Sequence, residues 1–262
     1  MAQKTWFGAR RRGAARRWLV GGAAAGALLG RPAAAQPSPA ADSAAVGAAV
    51  AAAARTYRAA LHTGAVLYDG AEYVDYTAPG TRGHQFFGGP APQAGTVQYR
   101  GGAFDDVLLR YDLLRDQPVL LYPGQGAAVA LVAGKVAGFT LGPHRFVRVA
   151  GGDTLAAGAL PPGFYELLVD GPVRLLARHR KRVQRVTVSQ NLAQEYRQTD
   201  QVFARTATAA AELTSLKKLL ALLPAHQAEV QRYARQQGLK FSAAERAASA
   251  ERALRYYYSL RS

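Results

Sequence analysis

The sequence predicts an α+β fold in which an antiparallel β-meander, a curved sheet or partial barrel, is followed by a C-terminal helical subdomain. Between residues 64 and 212, short apolar or alternating runs are separated by Gly, Pro and Asp turn signals, which is typical of successive antiparallel strands. Beyond residue 212, apolar residues recur at helical spacing instead. No strand-like run alternates with a helical run of about 10 to 15 residues, so a parallel βαβ sheet is not expected.

The first 35 residues have the pattern of an export signal. Six Lys and Arg residues precede Trp18, and an uncharged run of about 13 residues then extends to Gly30. This run is shorter than the roughly 20 residues of a membrane-spanning helix. Ala33 and Ala35 follow in A-x-A spacing, which predicts cleavage after Ala35. Because Arg16 and Arg17 also fit the twin-arginine route, both that route and ordinary secretion remain open.

The chain contains no Cys, which excludes disulfides, thiolate metal sites and a lipoprotein anchor. Removal of residues 1–35 takes away seven of the 33 basic residues and no acidic ones, so the formal net charge falls from +16 to +9. We therefore expect an exported protein, periplasmic or extracellular, that is not a lipoprotein and has no transmembrane segment in its mature chain.

Residues 36–63 are rich in Ala and Pro and predict a linker that leads into a short helix near Val50 to Leu61. Residues 64–212 follow as the β-rich domain. Its strand-like runs are AVLYDG, GTVQYRGGAF, DVLLRYDLL, PVLLYPG, VALVAG, FTLG, HRFVRVAGG, GFYELLVDG and VRLLARHRK. We expect two further short strands within EYRQTDQVFAR and TAAAEL.

Residues 213–262 predict a subdomain of about three helices. Leu residues between 213 and 223 share one helical face, and Pro224 would end that helix. A second helix is expected from about Ala225 to Gln237, and a third from about Ala243 to Tyr258. The third ends in three consecutive Tyr residues, 256–258, which cannot share one face, so we expect two to pack and one to be exposed.

No recognised catalytic motif is present. The nucleophile elbow, the P-loop and the dinucleotide fingerprint are missing, and the five His residues lack the spacing of a metal site, so we expect neither cofactor nor metal. Carboxylates of the β-rich part could still converge in space as a glycosidase pair does. This leaves an alternative in which Glu72, Asp75 and His84 serve a hydrolase that acts on an envelope polymer.

One loop combines aromatic and polar groups with several Gly and Pro residues, between residues 72 and 95. Such a loop beside a sheet is the usual material of a binding site. The same rings could instead cover a sheet edge or fill the core, and the sequence leaves both interpretations open. The candidate ligand-binding residues are Tyr73, Asp75, Tyr76, Arg82, His84, Phe86 and Phe87.

The C-terminal third carries the positive charge: residues 64–177 contain 8 basic and 10 acidic residues, whereas residues 178–262 contain 16 and 6. A cationic surface attracts anionic lipid or acidic envelope polysaccharide, while nucleic acid is not expected as the partner of an exported protein. Alternatively, the positive charge belongs to a solvated, Arg-rich helical surface. In that case, the Lys and Arg residues of the stretch RHRKRVQRV would protect an edge strand from edge-to-edge pairing. The candidate anion-binding residues, in the stretch RHRKRVQRV, are Arg178, Arg180, Lys181, Arg182 and Arg185.

Six phrases carry a resemblance: LYDGAEYVDY, GHQFF, GTVQYRGGAFDDVLLRYDLLRD, GPHRFVRV, PPGFYELLVDGPVRLLARHRK and LKKLLALLPAHQAEVQRYARQQGLKF. In their order they resemble an uncharacterised family of exported, β-rich proteins of Gram-negative bacteria. The resemblance implies export and the same succession of elements, and it brings no activity and no catalytic residue. The sequence therefore predicts an exported, non-enzymatic binding or structural protein at the periplasm or outer membrane surface.

Overall fold

The structure, a computed structural model, describes residues 46–50, 52–53, 64–122, 124, 126–151, 160–188 and 191–261. The predicted signal peptide and most of the predicted linker helix lie outside these residues. The chain divides into two compact units, residues 1–56 and 57–262. In the first unit, residues 46–50 and 52–53 are helical, and the side chains of Val46 and Val50 are exposed.

The described part of the second unit contains an 11-stranded antiparallel sheet. The strands are β1 (Ala71–Glu72), β2 (Gln93–Tyr99), β3 (Gly102–Asp112), β4 (Gln117–Leu121), β5 (Ala128–Ala130), β6 (Val136–Leu141), β7 (His144–Val149), β8 (Gly163–Val169), β9 (Arg174–Val188), β10 (Asn191–Arg205) and β11 (Ala210–Glu212). Their order is β1-β5-β4-β3-β2-β6-β7-β8-β9-β10-β11. Two meanders are therefore joined where β6 returns to pair with β2, and the predicted antiparallel meander is confirmed.

One predicted strand is wrong. The segment AVLYDG begins with a short helix, α1 (Gly64–Leu67), whose Leu67 is buried in the core. Gly70 follows where the chain runs against β5, since a Cβ at this position would lie 2.1 Å from the carbonyl oxygen of Ala130. The chain therefore reaches β1 through a short helix and a close backbone contact with β5, and not through an alternating strand.

The sheet is strongly curled. β3 and β8 are four strand spacings apart in the sheet order, which is about 19 Å in a flat sheet. The rings of Tyr111 on β3 and Phe164 on β8 nevertheless lie 6.0 Å apart. In addition, the backbone N–H of Lys181 on β9 donates to the carbonyl of Leu113 just after β3, at 3.2 Å. The strands between β3 and β9 thus enclose an apolar interior, here called the barrel core, which includes Tyr111, Phe139, Phe146 and Phe164.

The predicted helical tail is confirmed in part. It contains α2 (Leu216–Leu220), α3 (Gln227–Gln236) and α4 (Arg246–Ser259), so the first helix is shorter than predicted and the third begins later. The apolar sides of these helices pack against β8, β9 and β10 in a second cluster, here called the helix core, which includes Leu175, Val202, Leu219, Val230 and Leu254. None of the helices among the described residues is long and apolar enough to cross a membrane.

The expectation that one of the three consecutive Tyr residues is exposed is wrong. Tyr257 is buried in the helix core, and the Tyr256 ring stacks on Tyr233 with centroids 4.0 Å apart. The Tyr258 hydroxyl bonds the backbone of Val173, accepting from its N–H and donating to its carbonyl, at 2.9 and 2.8 Å. Three faces of α4 are therefore occupied, because its neighbours include both another helix and the turn before β9.

Candidate functional site

A row of ionisable side chains, here called the polar chain, crosses four adjacent strands. It runs from His144 on β7 through Glu166 on β8 and His179 on β9 to Asp200 on β10. Along β8, Glu166 lies between Phe164 of the barrel core and Leu168, which packs against the helix core. The polar chain therefore occupies the seam between the two apolar cores.

The polar chain is continuous in hydrogen bonds. His144 Nδ1 lies 2.5 Å from Glu166 Oε1, and His179 Nε2 lies 2.8 Å from Glu166 Oε2. His179 Nδ1 is 2.8 Å from Asp200 Oδ1, which also accepts from Gln198 Nε2 at 2.9 Å. From the barrel side, the Phe87 ring covers His144 and His179, with centroids 5.0 Å from each.

His179 is an imidazolium in this arrangement. Both of its ring nitrogens face carboxylate oxygens, and a carboxylate can only accept, so both nitrogens must donate. Burial by itself lowers the pKa of His179, but the hydrogen bonds and charges of Asp200 and Glu166 outweigh it and raise the pKa to about 9. Burial raises the pKa of both carboxyl groups, but the hydrogen bonds they accept, from His179 above all, outweigh it and lower the pKa of each.

The two ends of the polar chain differ from its middle in exposure. The side chains of Glu166 and His179 are 11% exposed, whereas those of His144 and Asp200 are 41% and 43% exposed. The buried middle is satisfied by its own partners, which is the arrangement of a structural ion pair. The exposed end presents an imidazole oriented by a carboxylate, which is the arrangement of a general base.

The opposite face of the sheet carries a second feature, here called the arginine groove. Alternation along β7 places Arg145 and Val147 on the face opposite to His144 and Phe146. On this face, a cavity of about 120 Å³ has an apolar floor that includes Val147, Leu167 and Leu176. Charged side chains also line this cavity, namely Arg145, Asp170, Arg174 and Arg205, together with Arg148, which strict alternation along β7 would place on the face of His144.

A second cavity, of about 280 Å³, adjoins the first. Arg174 and Arg205 line both cavities, so the two cavities are neighbours. The remainder of the second cavity is lined by small residues that include Pro172 and Thr206. The two volumes together fall at the lower end of the range of ligand pockets, about 300 to 1,000 Å³.

Among the described residues that line the arginine groove, positive charge dominates, with four arginines and one aspartate. Arg174 and Arg205 are direct partners in the β9–β10 register, where like charges repel. Asp170 offsets part of this charge, since its carboxylate lies 2.9 Å from Arg174 Nε and 3.8 Å from Arg145 Nη1. Guanidinium groups suit phosphate and carboxylate oxygens, which they can bind through two parallel hydrogen bonds.

The turn that carries Asp170 and Arg174 is fixed by the last helix. The Tyr258 hydroxyl holds the backbone of Val173 within this turn. Gly171, at φ 151°, leaves room for the Tyr258 ring, because a Cβ there would lie 2.7 Å from the Tyr258 hydroxyl oxygen. Helix α4 thereby positions one side of the arginine groove.

The predicted ligand-binding loop is bound into the fold. The Tyr73 and Tyr76 hydroxyls donate to Asp112 Oδ2 at 2.9 and 2.6 Å, while Asp75 Oδ1 accepts from Gln85 Nε2 at 3.2 Å. Asp112, fully buried, also accepts the backbone N–H groups of residues 114 and 115 through Oδ1. The network is centred on the Asp112 carboxylate, which the sequence did not single out. Its hydrogen bonds engage the polar groups of Tyr73, Tyr76 and Asp75 within the fold.

The remainder of that loop fills the gap between β3 and β10. The Arg82 backbone exchanges hydrogen bonds with residues 194 and 196 of β10, and Phe86 is 2% exposed. His84 Nδ1 accepts from the Phe86 N–H, and Lys181 Nζ donates to the carbonyl oxygens of both residues at 2.9 and 2.7 Å. Phe87 packs on the polar chain, as described above. Phe86 and Phe87 therefore act as packing groups in this structure.

The predicted anion-binding run is divided between the two faces of β9. Arg178 is buried and donates to the Pro162 carbonyl, and Arg180 Nη1 lies 3.1 Å from Asp116 Oδ2. Lys181 faces the loop, as described above. Arg182 and Arg185 are exposed on the part of the β9–β10 hairpin that extends beyond the pairing with β8. Strand alternation therefore separates residues that are neighbours in sequence.

The carboxylates and imidazoles that meet are not the predicted ones. Glu72 lies exposed on β1, and the described contacts do not join Glu72, Asp75 and His84. Across the described ranges, no group of three or more His, Cys, Asp or Glu side chains is arranged to hold a metal ion.

The described residues thus form an open, curled antiparallel sheet with an arginine groove on one face and a polar chain on the other. Comparison of the chain with protein-family models, curated proteins and solved structures finds no match. The resemblance to an exported family thus stays a prediction.

Proposed function

We propose that the protein acts after export as a non-enzymatic binding protein at the periplasm or outer membrane surface, where it holds an anionic ligand in the arginine groove. The observation that carries the proposal is that Arg145, Arg174 and Arg205 line one cavity, with Asp170 as the acidic neighbour, and that two of these arginines also line a second cavity. Anionic lipid and acidic envelope polysaccharide both supply a suitable group. The signal-like residues 1–35 support the location.

Binding is tested by calorimetric titration of the purified chain with inorganic phosphate and with an acidic polysaccharide at low and high salt. We expect affinity to fall as salt rises, because the attraction is electrostatic. Replacing both arginines in R174Q/R205Q should weaken binding at least about tenfold, as expected for the loss of charged hydrogen bonds.

The matched control is R182Q/R185Q, which removes the same charge from the exposed hairpin. It should bind like the unmodified chain. Greater loss in the control than in R174Q/R205Q would place the site on the predicted basic run and contradict the arginine groove. Recovery of the tagged full chain in the cytoplasm alone would contradict export.

The polar chain favours a second candidate, a hydrolase of an envelope polymer. Its specific observation is the exposed imidazole of His144, oriented by the ionised carboxylate of Glu166 at 2.5 Å. A screen against envelope polymers should then show turnover that His144→Gln abolishes and His226→Gln, on an exposed helix start, preserves. Absence of turnover in the unmodified chain would exclude this candidate.

A further inference from the structure

The β9–β10 hairpin extends beyond its neighbours in the sheet as a two-stranded ribbon. The pairing of β9 with β8 ends at Ala177, and the Lys181 N–H then donates to the Leu113 carbonyl. The pairing of β9 with β10 continues to Val188. A two-stranded ribbon alone is marginally stable in water, and a third strand stabilises it. The ribbon is therefore a place where an added strand would be favourable.

One edge of the ribbon, here called the open edge, consists of the outward backbone groups of Val183, Arg185 and Thr187 on β9. Gln194 and Tyr196 on β10 face outward, because they exchange hydrogen bonds with the backbone of the loop before β2. Residues directly opposite in an antiparallel pair share this orientation, and Arg185 and Val183 are the partners of these two residues. Among the described residues, no hydrogen bond reaches the open edge. It is therefore a free template for strand pairing.

Two arginines flank the open edge without acidic partners. Arg182 and Arg185 are exposed, and neither forms an ion pair within the part of the chain that the structure describes. Glu195, on the same face as Arg182, pairs instead with Arg197 at 3.4 Å. Because Arg182 and Arg185 are three positions apart on a strand, they lie on opposite faces of the ribbon. A strand added to the open edge would meet a positive side chain on each face.

We infer that the open edge binds an acidic, extended segment of another protein, which adds to the sheet as a further strand. Backbone hydrogen bonds along the open edge would hold the segment, and two carboxylates three positions apart would meet Arg182 and Arg185. Val183, whose side chain is 39% exposed, would contact a residue between these carboxylates. A second copy of this chain is disfavoured, because pairing of two open edges would bring their arginines together. The open edge shares no residue with the lining of the arginine groove.

A short peptide tests the inference. The capped, labelled peptide Thr-Thr-Glu-Val-Val-Glu-Thr-Thr carries two carboxylates three positions apart and reads the same in both directions, so it fits either strand orientation. We expect it to bind the purified chain in a fluorescence anisotropy titration. The same peptide with Lys in place of Glu should bind at least about tenfold more weakly, because like charges would then face one another. Equal binding of the two peptides, or binding of neither, would overturn the inference.

Charge-removing variants locate the peptide on the chain. R182Q/R185Q should weaken binding of the acidic peptide about threefold to tenfold, as expected for the loss of two exposed ion pairs. K217Q/K218Q removes the same charge from exposed residues of α2 and is the matched control, which should bind the peptide like the unmodified chain. Equal weakening in both variants would show attraction by the net charge of the chain and overturn the assignment to the open edge.

Amide hydrogen exchange, followed by nuclear magnetic resonance, distinguishes strand addition from a contact between charges alone. Val183, Arg185 and Thr187 direct their N–H groups outward, whereas the N–H groups of the residues between them are bonded to β10. With the peptide at ten times its Kd, exchange of the three outward groups should slow by up to about tenfold, and exchange of the inward groups should not change. Peptide binding without this protection would overturn strand addition.

A membrane surface is the other class of partner that a basic ribbon suits. Vesicles of phosphatidylglycerol and phosphatidylcholine in equal amounts, sedimented with the unmodified chain and with R182Q/R185Q, separate the two classes. Vesicle binding that R182Q/R185Q abolishes, together with absence of peptide binding, would assign the ribbon to lipid and overturn the inference. Peptide binding that depends on Arg182 and Arg185 and protects the open edge would support it.

Discussion

The buried imidazolium of the polar chain makes stability depend on pH in a defined direction. The pKa of His179 is raised from its ordinary value of 6.5 to about 9, which corresponds to about 3 kcal/mol of stabilisation of the folded state. This contribution is fully present below about pH 6.5 and is lost as the pH rises through about 9. It is a large share of the total stability of a domain, about 5 to 15 kcal/mol.

The perturbation is His179→Gln, which removes the charge and keeps a hydrogen-bond donor. The difference in unfolding free energy between the unmodified chain and this variant should shrink by about 3 kcal/mol between pH 6 and pH 10. Urea unfolding followed by far-ultraviolet circular dichroism measures it. Tryptophan fluorescence is unsuitable, because both Trp residues, Trp6 and Trp18, lie in the predicted signal peptide.

His226→Gln is the control, since His226 also approaches a carboxylate, Glu229 at 3.4 Å, but is 37% exposed. Exposed ion pairs contribute little to stability. The difference in unfolding free energy between the unmodified chain and His226→Gln should therefore change far less between pH 6 and pH 10. If the loss of unfolding free energy caused by His179→Gln is equal at pH 6 and pH 10, His179 does not bridge the two carboxylates as a cation, and the reasoning is refuted.

Three other substitutions test the contacts described above, each by urea unfolding. Asp112→Asn should cost about 2 kcal/mol, because a buried acceptor of four hydrogen bonds loses its charge; a change below about 0.5 kcal/mol would contradict this. Tyr258→Phe should cost about 1 to 2 kcal/mol and also weaken phosphate binding, and unchanged binding would show that α4 does not position the arginine groove. Gly171→Ala should destabilise the protein more than Gly80→Ala. Both glycines have positive φ, but of the two only Gly171 has a close neighbour, the Tyr258 ring. Equal effects would show that the Tyr258 side chain moves aside at little cost in free energy.

Local patterns in the sequence predicted the strands well, because alternation and turn residues are encoded within a few positions. The turn between β2 and β3, for example, has Arg100 and Gly101 at φ 49° and 79°, the left-handed pair that a tight hairpin requires. Local sequence patterns could not predict the curl of the sheet. It depends on contacts such as Tyr111 with Phe164, between residues far apart in the chain.

The sequence drew attention to contiguous features, and the candidate site is assembled from separated ones. Arg145, Arg174 and Arg205 belong to three strands, and their charges meet only through strand register. The basic run near residue 180 is conspicuous in sequence, yet alternation sends its members to opposite faces. A pairing register, had it been known, would have revealed the arginine groove.

The hydrogen bond between Lys181 and Leu113 also has a consequence for synthesis. The barrel core cannot be enclosed until β9 has left the ribosome, and pairings between distant segments form slowly because loop closure must come first. The nascent chain therefore exposes the apolar faces of β2 and β3 throughout the translation of the intervening strands. A chaperone that holds extended chains has its longest access to this protein during that interval.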